Sequence, residues 1–129
     1  MATHLSLDEM KHKVRQHFEE FVNHGDLDAI RRNMTKDFVD HDGPGGEAVG
    51  TDGDATLMAT MRKMGPDLQV TIEDMIGEGD KIVCRNVWRW THPVSGRRMG
   101  FQGFVLWRFE GERIAERWAT VTSPAEIKS

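Results

Sequence analysis

Apolar residues recur at helical spacing through the first half of the chain and at alternate positions through the second, and the change falls near residue 67. Ser6 and Glu9 have capping-box spacing, and Asp8 and Glu9 suit the positive end of a helix. Met10, Val14, Phe18, Phe21 and Val22 follow as one stripe, and Gly25 predicts the helix end. Asp26 predicts the cap of a second, short helix carrying Leu27, Ile30 and Met34. Residues 36–41 read as a short extended piece that runs into a glycine-rich loop, His41 to Gly46. Asp54 predicts the cap of a third helix with Leu57, Met58, Met61 and Met64 on one side, and Gly65-Pro66 stops it.

From residue 67 the period is two. Leu68, Val70 and Ile72 alternate with Gln69, Thr71 and Glu73, which predicts a half-buried strand. Turns at 77–80, 93–96 and 111–112 separate strands over 81–92, 98–110 and 113–122. Ile82, Cys84, Asn86, Trp88 and Trp90 share one face of the first of these. Ile114, Glu116 and Trp118 are expected on one face of the last, with Glu116 meeting Arg85 or Arg89 across strands or lying in a cleft. The tail after Pro124 is expected to fray. Short turns pair neighbouring strands, and helices must cover one face of the resulting sheet. The predicted class is α+β, one domain over residues 1–129, with about three N-terminal helices on a mainly antiparallel sheet.

Composition narrows the function. The chain is 38% hydrophobic and 29% charged, which describes a globular protein. Seventeen Lys and Arg face 21 Asp and Glu, and the only dense basic patches are Arg31-Arg32 and Arg97-Arg98. No nucleic-acid partner is expected from that balance. No stretch approaches the roughly 20 apolar residues of a bilayer span, so no membrane partner is expected either. The N-terminal residues lack a secretory pattern and Cys84 is the single cysteine, so a cytoplasmic location is expected. Four Trp, six Phe and eight Met without a Tyr either fill a core or line a pocket for a flat apolar ligand. The 41–46 loop lacks the Gly-Lys-Ser/Thr ending of a phosphate loop, and His12 and His17 are five apart, which is not the spacing of a helical metal pair. No metal site is expected, and Cys84 reads as a buried structural thiol.

Several segments together resemble the SnoaL-like polyketide cyclases. "DFVDHD" (37–42) followed by "VGTDG", "PDLQVTIEDMIGEGDKIVCR" (66–85), "THP" with "SGRR", and "LWRFEGERIAERW" (106–118) are similar to that family's segments and keep its order. The resemblance implies a curved, cone-shaped mixed sheet of the nuclear transport factor 2-like kind, around a pocket for a hydrophobic small molecule. It implies ring closure by an aldol step without metal or cofactor, and pairing of two copies through the sheet face. The family's acid/base residues are a His on the next-to-last strand and an Asp just after the final Trp. An ungapped overlay puts these positions at Val105 and Ala119, neither of which can move a proton.

Three ionisable candidates remain for catalysis: His41, Arg85 and His92. His41 matches the family's early His and titrates near neutral pH, or it bonds its own loop, and Asp42 beside it is a candidate to orient the ring. Arg85 holds an enolate oxygen or pairs with Asp74 or Glu116. His92 matches the family's Thr-His or is a solvated loop residue. Trp88, Phe101, Val105, Trp107 and Ala119 are the expected apolar lining. The chain is thus expected to be a cofactor-free cyclase, lyase or isomerase acting on a hydrophobic carbonyl compound. The alternatives are a binding protein with the same pocket, or a homodimerisation module with Trp88, Trp90 and Trp118 in its interface.

Overall fold

The computed structural model describes residues 3–127. Helix α1, Leu7–His17, opens with the expected capping box, in which Ser6 and Glu9 each accept the other's backbone N–H. It does not run straight to Gly25. Residues Phe18–Asn23 form a π-helical turn, and the widened turn keeps Phe18, Phe21 and Val22 all buried on the inner side. Gly25 then takes a left-handed conformation, φ 68°, with the Arg62 side chain packed where a Cβ would stand.

Helix α2 is Ala29–Asn33, with Asp28 at its cap position, whereas Asp26 accepts from the Asp28 N–H just outside it. Met34 begins strand β1, Met34–Asp40, so the second helix is shorter than its apolar spacing predicts. Helix α3 is Thr51–Met64 with Gly50 at the cap. Asp54 is therefore not a cap. It lies inside the first turn of α3 and is buried.

The sheet has the order β1-β5-β4-β3-β2, with β2 Gln69–Glu78, β3 Lys81–Thr91, β4 Arg98–Glu110 and β5 Arg113–Val121. Strand β1 joins β5 in parallel and the other neighbours are antiparallel, which gives the expected mixed, mainly antiparallel α+β fold. The tail after Pro124 is ordered through Ile127, and its last two residues lie outside the described ones. Ala125–Glu126 forms a short strand, β6, that pairs with Met99 and Gly100 of β4 beyond the end of β5.

Ile82, Cys84, Asn86, Trp88 and Trp90 share the inner, buried face of β3 as their spacing predicts. On β5 the alternation is broken. Phe109 opposes Ile114 and Arg108 opposes Glu116, so Ala115 is an extra residue in a β-bulge. The bulge reverses the phase: Ile114 faces the core, Glu116 and Trp118 face outward, and Arg117 and Ala119 face inward. The expectation that Ile114, Glu116 and Trp118 share a face fails for this reason. No helix among the described residues is long and apolar enough to cross a membrane.

Candidate functional site

Between the inner face of the sheet, the π-helical turn and α3 lies a cavity of about 190 Å³. An engineered cavity of about 150 Å³ holds a benzene ring, so this space suits a small ring compound. Its apolar wall is built from Phe18, Phe21, Leu57, Met58, Met61, Trp88 and Phe101. Trp88 and Phe101 stack with their ring centres 4.7 Å apart.

The other end is polar, and its side chains come from four separated segments. Asp40 ends β1 on the same face as Phe38, and Arg117 stands opposite it on β5. Arg117 Nη1 donates to both oxygens of Asp40 at 3.1 and 3.0 Å, and its guanidinium lies 5.6 Å from the centre of the Trp107 ring. Asp54, from the first turn of α3, meets Asp40 carboxyl to carboxylate. Burial, together with the neighbouring Asp40, pushes Asp54 up to about 8, so it carries a proton at neutral pH. Its Oδ1 has no hydrogen-bond partner in the protein although it is buried. One carboxylic acid, one carboxylate and one cation therefore converge on the cavity.

Asp42 also reaches the cavity. Its Oδ2 accepts the backbone N–H of Ala119 at 2.7 Å, and its own N–H donates to Asp40 Oδ1 at 3.0 Å. Asp42 does not orient His41: its carboxylate is bonded to Ala119 on the inner side, whereas the His41 ring meets Glu116 on the outer side. Backbone bonds between Asp40 and Val49 hold this stretch in place. His17 lines the same end, wholly buried, and burial lowers it to about 3.

Trp88, Phe101, Trp107 and Ala119 line the cavity as expected. Val105 opposes Ala119 across the hairpin, as the overlay requires, but it is sealed within the core and does not reach the space. None of the three ionisable candidates enters the cavity. His41 lies on the outer side, where its ring stacks on Trp118 at 4.7 Å and Nε2 meets Glu116 at 2.7 Å. Arg85 is half-exposed on the outer face and pairs with Asp74 at 2.6 Å. His92 sits in the β3–β4 turn, where Nδ1 accepts from the backbone of Val94 and Ser95. Glu116 pairs with Arg108 and His41, not with Arg85 or Arg89, and its pKa is lowered by those bonds. Trp88 and Trp90 are core residues and not part of an outer interface. Burial pushes the Cys84 thiol up to about 12, which leaves it inert.

The residues that sequence reasoning missed carry a common signal: a charged or polar residue at an apolar phase. Asp54 is three, four and seven residues from Leu57, Met58 and Met61; Asp40 is two from Phe38; Arg117 is two from Ala119; His17 is three from Val14. Among the described residues no group of three or more His, Cys, Asp or Glu side chains is arranged to hold a metal ion.

The sequence profile of the SnoaL-like polyketide cyclases matches residues 12–122 of this chain. Among solved structures, AclR from Streptomyces galilaeus is 22% identical, with 91% of each chain covered and a TM-score of 0.80. IdmH from Streptomyces antibioticus, to which a polyketide cyclase role is ascribed, is 25% identical over 86% of this chain and 90% of its own, with a TM-score of 0.78. A Bacillus cereus protein ascribed the same role is 28% identical over 93% of this chain and 83% of its own, with a TM-score of 0.79. No curated protein sequence matches. The architecture is the nuclear transport factor 2-like one that the motifs imply.

Proposed function

This chain belongs to the SnoaL-like polyketide cyclase family, and we propose that it performs cofactor-free acid/base chemistry, of the aldol, lyase or isomerase kind, on a hydrophobic small carbonyl compound. The observation that carries this reading is the protonated Asp54 beside Asp40 and Arg117 at the polar end of a cavity whose opposite wall is apolar. A carboxylic acid kept neutral at pH 7 can donate to a carbonyl oxygen, and its pKa is matched to returning the proton.

Asp42 is the base in this scheme. The family's carboxylate after the final Trp is replaced by Ala119, yet the Asp42 carboxylate is bonded to the Ala119 N–H. It thus supplies from the β1 end a charge that the family supplies from β5. Asp42 takes the proton next to the carbonyl; the C–H electron pair becomes the enol double bond, and the oxygen takes the Asp54 proton, which leaves its hydrogen bond to Asp40. Arg117 holds both oxygens of Asp40 in place, and burial together with Asp40 keeps Asp54 protonated.

The test is exchange of the α-hydrogens of aryl and cyclic ketones in D2O, followed by NMR. The protein is expected to accelerate exchange over buffer, and Asp54→Asn and Asp42→Asn each to lose about 10²–10³-fold of the acceleration. A ligand that binds without exchange would sink the catalytic reading and leave the binding protein, which the outward placement of His41, Arg85 and His92 favours.

We also propose that two copies pair through the outer sheet face. Ile76, Val83, Leu106 and Trp118 form an apolar row directly across β2, β3, β4 and β5, with Phe104 exposed beside it.

A further inference from the structure

His17 has a defined hydrogen-bonding polarity that the scheme above does not use. The Asn33 side-chain nitrogen lies 3.0 Å from His17 Nδ1 and 3.2 Å from Glu20 Oε1. Glu20 is a carboxylate, lowered in pKa by its bonds to Gln16, Asn33 and Arg32, and it can only accept. The Asn33 amide must therefore turn its NH2 to both partners, because a flipped amide would set its oxygen against the carboxylate. One hydrogen goes to Glu20 and the other to Nδ1. Nδ1 is then a lone pair, and the single proton of a neutral imidazole sits on Nε2.

Nε2 makes no hydrogen bond among the described residues. It is also not one of the sealed, unpartnered buried atoms, which are Asp54 Oδ1, both side-chain polar atoms of Asn86, and Trp107 Nε1. His17 is 2% exposed and lines the cavity, so the space its Nε2 meets is the cavity. The ring cannot swing away: Phe21 stacks on it at 5.0 Å and Trp107 meets it edge-on at 5.7 Å. The charged groups that act on it are Arg117, Glu20 and Arg32, and burial with Arg117 opposes a second proton.

We propose that His17 presents its Nε2–H to the cavity as a fixed hydrogen-bond donor for the oxygen of an uncharged carbonyl ligand, with Asn33 as the positioning residue that holds the tautomer. A neutral donor cannot exchange a proton with Asp54 near neutral pH, so His17 polarises the carbonyl while Asp54 transfers the proton. Preorganised donors of this kind stabilise oxygen charge as it develops. The inference takes the carbonyl ligand from the reading above but does not depend on turnover.

The test uses the ¹⁵N-labelled full chain. Long-range ¹H–¹⁵N spectra of the histidine rings are expected to show His17 as the Nε2–H tautomer, unchanged from pH 5 to 8. Acetophenone is expected to move the Nε2–H proton downfield, and cumene, which fills the same space without an oxygen, to leave it in place. Asn33→Leu is expected to let the Nδ1–H tautomer appear. His17→Phe keeps the ring packing and is expected to weaken acetophenone binding about tenfold with cumene binding unchanged. An Nδ1–H tautomer in the native chain, an imidazolium within that range, equal shifts with both ligands, or no acetophenone binding overturns the proposal. A native chain that binds acetophenone without accelerating α-exchange sinks the catalytic reading and leaves each of these outcomes as it stands, so the two readings fail separately.

Discussion

Replacing Asp54 by Asn should stabilise the protein at alkaline pH while removing its acid. The amide keeps a donor towards Asp40, as the protonated carboxyl does, but it cannot ionise. In the native chain Asp54 is raised from 3.8 to about 8 by burial and by Asp40. On unfolding it returns to its ordinary value and releases a proton at any pH between these limits. The unfolded chain therefore binds fewer protons than the folded one, and stability falls as pH rises through that window. The contribution is fully present below about 4 and is lost by about 8. Between pH 5 and 8 the window spans three pH units at about 1.4 kcal/mol each, a loss on the order of 4 kcal/mol. That is a large share of the roughly 5–15 kcal/mol that holds a domain folded. Urea unfolding at pH 5, 6, 7 and 8 should show the native chain losing this stability relative to Asp54→Asn, with the gap between the two widening steadily from pH 5 to pH 8. Parallel pH profiles would refute the reasoning, because they would mean that Asp54 is already ionised in the folded state. A stabilised variant that no longer exchanges α-hydrogens would tie the strain to the chemistry.

Arg117→Met should leave Asp40, which is 1% exposed, as a buried charge without its cation, and cost about 3 kcal/mol or more in denaturant unfolding. Acid should act through His17 in the opposite sense from Asp54. Its pKa is lowered from 6.5 to about 3, so its contribution is present above 6.5 and lost as pH falls towards 3. His17→Phe should flatten that acid limb in thermal unfolding at pH 4.5 and 6.5. Phe104→Glu, at a side chain 55% exposed on the outer face, should halve the mass measured by light scattering if two copies pair there, with little effect on stability.

Local patterning was enough to place three helices, the four long strands and their order, though not the π-helical turn or β6. The capping box at Ser6, the stripe from Met10 to Val22 and the two-residue period after residue 67 are local, and local sterics and burial decide them. The short turns then left one way for β2 to β5 to pair, so the sheet and its buried β3 face followed from spacing alone. The family was legible in its motif segments, and the overlay on that family led to Trp88, Phe101, Trp107 and Ala119 as lining, while also naming Val105, which the core seals off.

The polar end of the cavity was decided by tertiary structure. A single extra residue, Ala115, turned Arg117 inward and Glu116 outward, and strand period carries no mark of a bulge. The parallel pairing of β1 with β5 joins residues 77 positions apart, and it is this contact that sets Asp40 against Arg117. Asp54 read as a helix cap because Asp is common there, yet the helix begins at Thr51 and carries that carboxyl into the core. Its proton is a property of the enclosure: the same side chain in water would be ionised, and only burial beside a second carboxylate makes it an acid at neutral pH.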